Sequence, residues 1–338
     1  MNGIELELNK EYPPPDEPAD IQRMAALIQA IHHPQKDGRV LRAQHAKDTG
    51  CVQAQFIVEP GLPDEYRYGV FREPRTYDVD DVTIRFSNAS EFSESDALGT
   101  PRGMAIKIRH VDGERAIKDD GESSQDFLMV DSPAFIFRAV KDYTALFALR
   151  HRLKNDLLAI LAFAPFHASQ VVNILKAKRH TIKDALIQQY WSGAPFRLGP
   201  RAVKFTAKPR DDQLPSGPSG GPADPENFLF QTLASHLKGN DAFFDFMVQF
   251  QKDPVRMPIE DASVEWKKSD SDFRKVATVR IPTQVLGSDK MRAFRASCED
   301  LSFNPWHTLE EHRPLGGLNR LRRAAYEVSV QRRRQKPS

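Results

Sequence analysis

The stretch from Leu318 to Arg334 carries the residues best suited to chemistry, and it follows a turn at Pro314-Leu315-Gly316-Gly317. Within it, Arg322 precedes Tyr326 by four positions and Arg333 follows it by seven. At about 100° per residue, both intervals return close to the same side of an α-helix. The phenol would then have one guanidinium a turn before it and another two turns after it. A fixed cation beside a phenol favours its charged form, and phenolate oxygen is an axial donor to haem iron. Next to that line, Leu318, Leu321, Ala325 and Val328 form the apolar stripe of a packed helix. By themselves, these residues fit a basic surface helix with a core-facing tyrosine equally well.

Other reactive side chains offer less. Of ten histidines, His32 and His33 end a helical stretch, where a cation opposes the helix dipole, and His307 and His312 flank an irregular segment. No pair has zinc-site spacing, and no G-x-S-x-G elbow is present. The glycine-rich loop at 216–222 lacks the Lys-Ser/Thr ending of a phosphate cradle. His45 stands in a run from Arg39 to Cys51 that leads into a strand. A lone histidine there is ordinarily structural.

The elements that would position these residues fall into blocks. Residues 1–19, with Pro13-Pro14-Pro15, read as an extended arm, and Ile21 to Ile31 as a helix. Strand texture runs through 52–58, 81–86, 103–109 and a fourth extended stretch at 126–130 and 134–138. Residues 139–192 change to helical period, and alternation returns at 201–207, 244–250 and 276–281. Helices are expected over 227–237 and 291–301. About seven strands on either side of a helical block predict an α+β fold: a closed or nearly closed antiparallel β-barrel with helices packed on it. The absence of a clean linker predicts one domain over 1–338.

Composition sets the outer bounds. In 338 residues, 40% are hydrophobic and 28% charged, enough for a sizeable core under a soluble surface. A net charge of +2 implies no general attraction to nucleic acid or anionic membrane. Cys51 and Cys298 fit no zinc or redox spacing, and two thiols in so long a chain suggest a reducing compartment. The first residues lack a secretory pattern, and no apolar run approaches membrane-helix length. A soluble, cytoplasmic protein without stable membrane insertion is expected.

Four stretches, taken in order, resemble the haem catalases. Arg42-Ala43-Gln44-His45-Ala46-Lys47 is similar to the family's distal-histidine motif. Arg85-Phe86-Ser87-Asn88 and Pro101-Arg102-Gly103-Met104-Ala105-Ile106-Lys107 resemble its R-F-S…P-R-G-x-A-x-K strand pair. Asp126-Phe127 through Ser132-Pro133-Ala134-Phe135-Ile136-Phe137-Arg138 looks like the strand over the distal face. Arg322-x-x-x-Tyr326 with Arg333 looks like the proximal motif. The chain is shorter than full catalases, and 190–200 and 304–317 resemble the small catalase-related peroxidases.

This resemblance implies a catalase-like barrel holding ferric haem b, with Tyr326 as the iron ligand and Arg322 as its charge partner. It implies Arg42, Arg85 and Arg333 at the haem propionates, where guanidinium suits carboxylate. His45 would be the distal acid/base, Ser87 its hydrogen-bond partner, and Phe135 and Tyr143 part of the distal lining. Two positions depart from the pattern. Val130 stands where catalases carry a peroxide-binding asparagine, with Asp131 beside it, and Gln44 replaces an apolar neighbour of the distal histidine. Valine cannot donate a hydrogen bond, and a polar Gln44 can compete for peroxide or imidazole. Peroxidase action on hydrogen peroxide or organic hydroperoxides, with a small organic donor and weak catalase activity at most, is therefore expected. Isomerisation of lipid hydroperoxides, as in allene oxide synthases, and a non-catalytic haem carrier or sensor are the alternatives. The resemblance also admits a homo-oligomer.

Overall fold

Alternation of apolar and polar residues along the strands is what closes this chain into a barrel. The computed structural model describes residues 5–30, 35–36, 39–40, 42, 44–90, 93–118, 121, 123–179, 181–212 and 224–334. His32, His33 and the loop at 216–222 lie outside them. β1 (Gln35–Lys36) and β2 (Arg39–Val40) form a small separate hairpin. The main sheet comprises β3 (Asp48–Val58), β4 (Thr76–Asn88), β5 (Arg102–Ile108), β6 (Gln125–Val130), β7 (Tyr190–Trp191), β8 (Phe196–Leu198), β9 (Arg201–Pro209), β10 (Ala242–Phe250) and β11 (Phe273–Ile281). Its order is β10-β11-β3-β4-β5-β6-β7-β9-β8, all antiparallel, and β9 pairs again with β10. Eight strands thus close a ring, and β8 extends it beside β9.

The helices are α1 (Glu17–Ala30), α2 (Val140–Leu153), α3 (Asp156–Phe163), α4 (Ala168–Arg179), α5 (Phe228–Leu237), α6 (Asp289–Cys298) and α7 (Gly317–Arg334). The α+β barrel expected from the sequence is the observed architecture. Two segments differ from expectation. Residues 134–138 do not continue β6: Pro133 has no N–H to offer a ladder, and Phe135 N–H bonds instead to Ala262 O at 2.9 Å. The cysteines are not thiols. Cys51 and Cys298 form a disulfide between β3 and the end of α6, 247 residues apart. The premise for a reducing compartment is thereby removed.

Inside the barrel, Phe56, Phe71, Phe127, Phe205 and Phe246 interlock, with the Phe127 and Phe246 rings 4.8 Å apart. The space left among them and His312 is about 10 Å³, at the lower limit for one water. The space among these rings therefore has no room for a larger ligand.

Period-two geometry says which residues face the outer wall. Ile84, Phe86, Met104, Ile106, Phe127 and Met129 point into the barrel core. Their neighbours point outward, and the register aligns them: Ser87 opposes Gly103, which opposes Val130. The next row is Arg85, Ala105 and Leu128, and the one beyond it pairs Lys107 with Asp126.

Helix α7 covers this part of the molecule. Leu321 and Val328 pack with Met24 and Ile28 of α1 and Val140 and Phe147 of α2. Its start is fixed by carboxylates, as suits the positive end of a helix dipole. Gly316 N–H donates to Glu11 and Gly317 N–H to Glu260, while Arg320 pairs with Glu11, Glu17 and Glu260. Gly316 has φ 83°, and a β-carbon there would stand 2.4 Å from Ile259 O, so only glycine fits.

Candidate active site on the outer wall of the barrel

His45 enters from the segment just before β3 with φ 56°, a left-handed conformation uncommon for residues other than glycine. Its Nδ1 lies 2.9 Å from Ser87 Oγ, which projects from the outward row of β4. Gly103 completes the seat. A β-carbon at Gly103 would stand 2.7 Å from His45 Cε1, 2.8 Å from Nδ1 and 2.9 Å from Ser87 Oγ, so the imidazole lies where any other side chain would begin.

Arginines gather beside it. Arg85 Nη2 donates to His45 O at 3.0 Å and its Nε to Glu299 Oε1 at 3.0 Å. Arg42 Nη1 donates to the other oxygen of Glu299, and its Nη2 to Leu301 O at 2.9 Å. One carboxylate thus holds two guanidiniums on a common side of the site. The disulfide sets this up, because Glu299 directly follows Cys298, and Cys51 pairs with Arg85 across β3 and β4.

Tyr326 and Arg322 project from α7. Arg322 Nη1 donates to Asn319 Oδ1 at 3.2 Å, and its guanidinium lies 5.8 Å from the Phe135 ring centre. Phe135 meets Tyr143 edge-on at 5.9 Å, and Phe137 stacks on Tyr143 at 4.6 Å. Gln44 Nε2 donates to Tyr143 Oη at 2.5 Å. Gln44 is exposed, and the structure turns it to the aromatic wall rather than to the imidazole. Arg333 lies in the last turn of α7, with its side chain outside the described residues.

Charge ties the two halves together. Burial holds the His45 imidazole down to about 3, and Arg85, Arg322 and Arg42 add to the depression. The residue is half-buried by area, but its ring lies deep enough that the neutral form prevails at ordinary pH. For Tyr326, burial raises the phenol above its usual value, Arg322, Arg42 and Arg85 oppose the rise, and Asp126 adds to it. The same three guanidiniums act on both groups, so imidazole and phenol lie within the field of one set of cations. In the protein alone, desolvation outweighs the arginines.

Val130 closes the upper row beside Gly103, so the side chain at the departure from the catalase pattern belongs to the wall below His45. It offers no polar atom. Asp131 is turned away, its Oδ1 accepting from Arg102 N–H at 2.8 Å. Sequence reasoning missed Glu299 and Asn319, and it quoted Phe137 within a motif without giving it a role. It quoted Gly103 within a motif without seeing its role. A lone glutamate after a cysteine carries no pattern, whereas the P-R-G sequence was a usable signal.

These residues fit a haem. A phenol and a neutral imidazole share three cations, the guanidiniums of Arg42 and Arg85 are drawn together in a geometry that suits carboxylates such as propionates, and Phe135 offers a flat apolar face. No family model matches the chain, and no curated protein matches it. Solved structures do. Catalase A from Saccharomyces cerevisiae superposes with a TM-score of 0.66 at 16% identity, covering 99% of this chain and 68% of that one. A fungal catalase gives 0.61 at 14% identity, covering 99% and 66%, and a bacterial catalase 0.59 at 14%, covering 99% and 64%. The chain spans about two thirds of the length of these proteins. At such identities the similarity concerns the backbone, and by its backbone this chain has the catalase fold.

Proposed function

We propose that the protein is a haem-dependent peroxidase of the small catalase-related kind, acting on hydrogen peroxide or organic hydroperoxides with a small organic donor. The observation that carries this reading is the sharing of Arg42, Arg85 and Arg322 by a half-buried imidazole and a half-buried phenol. Tyr326 would hold the iron, Arg322 would balance its charge, and Arg42 and Arg85 would pair with the propionates. Haem b held there would supply the two-electron redox chemistry that reduction of a peroxide by a donor requires.

The chain's own part is proton handling and exclusion. With Nδ1 of His45 taken by Ser87, Nε2 is left to remove the proton from one peroxide oxygen and deliver it to the other. The neutral imidazole is the form that can accept this proton. Oxygen–oxygen cleavage releases one oxygen as water or an alcohol, and two electrons with two protons from the donor take the other oxygen to water. Val130 cannot hold a second peroxide by hydrogen bonding, which favours an organic donor over disproportionation. A second reading draws on the same wall: Val130, Phe135, Phe137 and Tyr143 make an apolar surface suited to a lipid hydroperoxide, which would be rearranged without a donor.

The deciding experiment uses purified, haem-loaded protein with peroxide and a donor dye. Dye oxidation with little oxygen evolution supports the peroxidase. Vigorous oxygen evolution without dye oxidation reverses it. Loss of a lipid hydroperoxide's diene absorbance with no donor present supports the second reading, and haem whose spectrum peroxide leaves unaltered would leave only a carrier or sensor.

A further inference from the structure

The helices behind the aromatic wall are apolar on both sides. Ala159, Ile160 and Phe163 of α3 and Ile174 of α4 bury one side with Phe137 and Leu146. A helix that has filled its core side should be polar on the other. Here Leu157 is 66% exposed, Leu161 59% and Phe166, at the turn between the helices, 88%. Leu158, Val172 and Leu175 are exposed as well. Phe166 presents nearly its whole aromatic ring to solvent beside Pro165.

The rim of this surface has one sign. Arg152 and Lys154 at the end of α2, Lys176 on α4 and Lys183 beyond it are exposed. Asp156 is the one acid between 150 and 183, and it already lies 3.4 Å from Arg150. The net charge of +2 conceals this local excess, because acids elsewhere in the chain balance it.

We infer that the α3–α4 hairpin docks on the surface of an anionic lipid bilayer, with Leu157, Leu161 and Phe166 entering the acyl boundary and the cations meeting lipid phosphates. Exposed leucine and phenylalanine flanked by lysine and arginine is the chemistry of interfacial helices. An eight-residue α3 is too short to span a membrane, and among the described residues no helix is long and apolar enough to do so. A second copy of this chain fits the rim less well, since a two-fold contact sets a patch against itself and brings cation to cation. The inference stands independently of the haem reading. It would place the outer side of the Phe137–Tyr143 wall at a membrane.

The test is flotation of full-length protein with vesicles of phosphatidylcholine containing about one third phosphatidylglycerol, against phosphatidylcholine alone. The protein should float with the anionic vesicles. Its bound fraction should fall about tenfold with neutral vesicles, with high salt, in Leu161→Glu/Phe166→Glu and in Lys154→Glu/Lys176→Glu. All four side chains are exposed, so circular dichroism and haem content should match the parent protein. Failure of the parent to float overturns the inference, as does unaltered flotation of the Leu161→Glu/Phe166→Glu protein. A dimer that this double variant splits, with no vesicle binding by the parent, would show instead that a second copy covers the face.

Discussion

Gly103 and His45 are in direct apposition, with the place of a glycine β-carbon 2.7 Å from His45 Cε1 and 2.9 Å from Ser87 Oγ. The His45 imidazole is thus positioned by the absence of a side chain on β5 as much as by its hydrogen bond. Neither strand can yield, because Ser87 and Gly103 are paired across β4 and β5. Gly103→Ala should displace the ring and break the Ser87 contact. We expect haem to remain bound while peroxide cleavage slows by about 10²-fold, the cost of a misplacement near 1 Å. Stopped-flow absorbance after peroxide addition measures this, and an unchanged rate would contradict the seat described.

Tyr326→Phe and His45→Ala should separate binding from chemistry. Loss of the phenol oxygen should empty the haem site or weaken it severely, read as haem per protein after gel filtration. Loss of the imidazole should spare haem and slow peroxide cleavage by roughly 10²–10⁴-fold, the range of a general acid/base. Retained haem with an unaltered spectrum in Tyr326→Phe would remove the ligand assignment.

Val130→Asn puts a hydrogen-bond donor into the row that also contains Ser87 and Gly103. Oxygen evolution from hydrogen peroxide should rise, and dye oxidation per turnover should fall. If oxygen evolution does not change, the departure from the catalase pattern at this position has no bearing on the reaction.

His312, at the barrel core, predicts acid lability. Its Nε2 accepts from Val70 N–H at 3.0 Å, and burial holds its imidazole down to about 4 from the ordinary 6.5. Below 6.5 the unfolded chain takes up a proton that the folded chain refuses. The stability from this group is therefore complete above 6.5 and lost as pH falls toward 4, by up to about 3 kcal/mol. His45 acts in the same sense down to about 3. Thermal melts from pH 7 to pH 4 should show the loss. His312→Gln, which keeps an acceptor for Val70, should flatten it, and an equal slope in both proteins would count against the assignment.

The sequence by itself settled the strand and helix periods and the ordered motifs around His45, Arg85, Gly103 and Tyr326, because spacing along one element follows from local geometry. Helix α7 and most barrel strands were legible for that reason; β7 and β8, at two and three residues, are too short to show a period. What only the tertiary structure decided are relations between distant segments. The disulfide joins residues 247 apart, Glu299 bridges Arg42 and Arg85, and Gly103 makes room for His45. Desolvation likewise belongs to the folded state alone: it raises the Tyr326 phenol against the arginines that helix spacing placed beside it. Contacts set by loop closure and burial have no period along the chain, so no local pattern announces them.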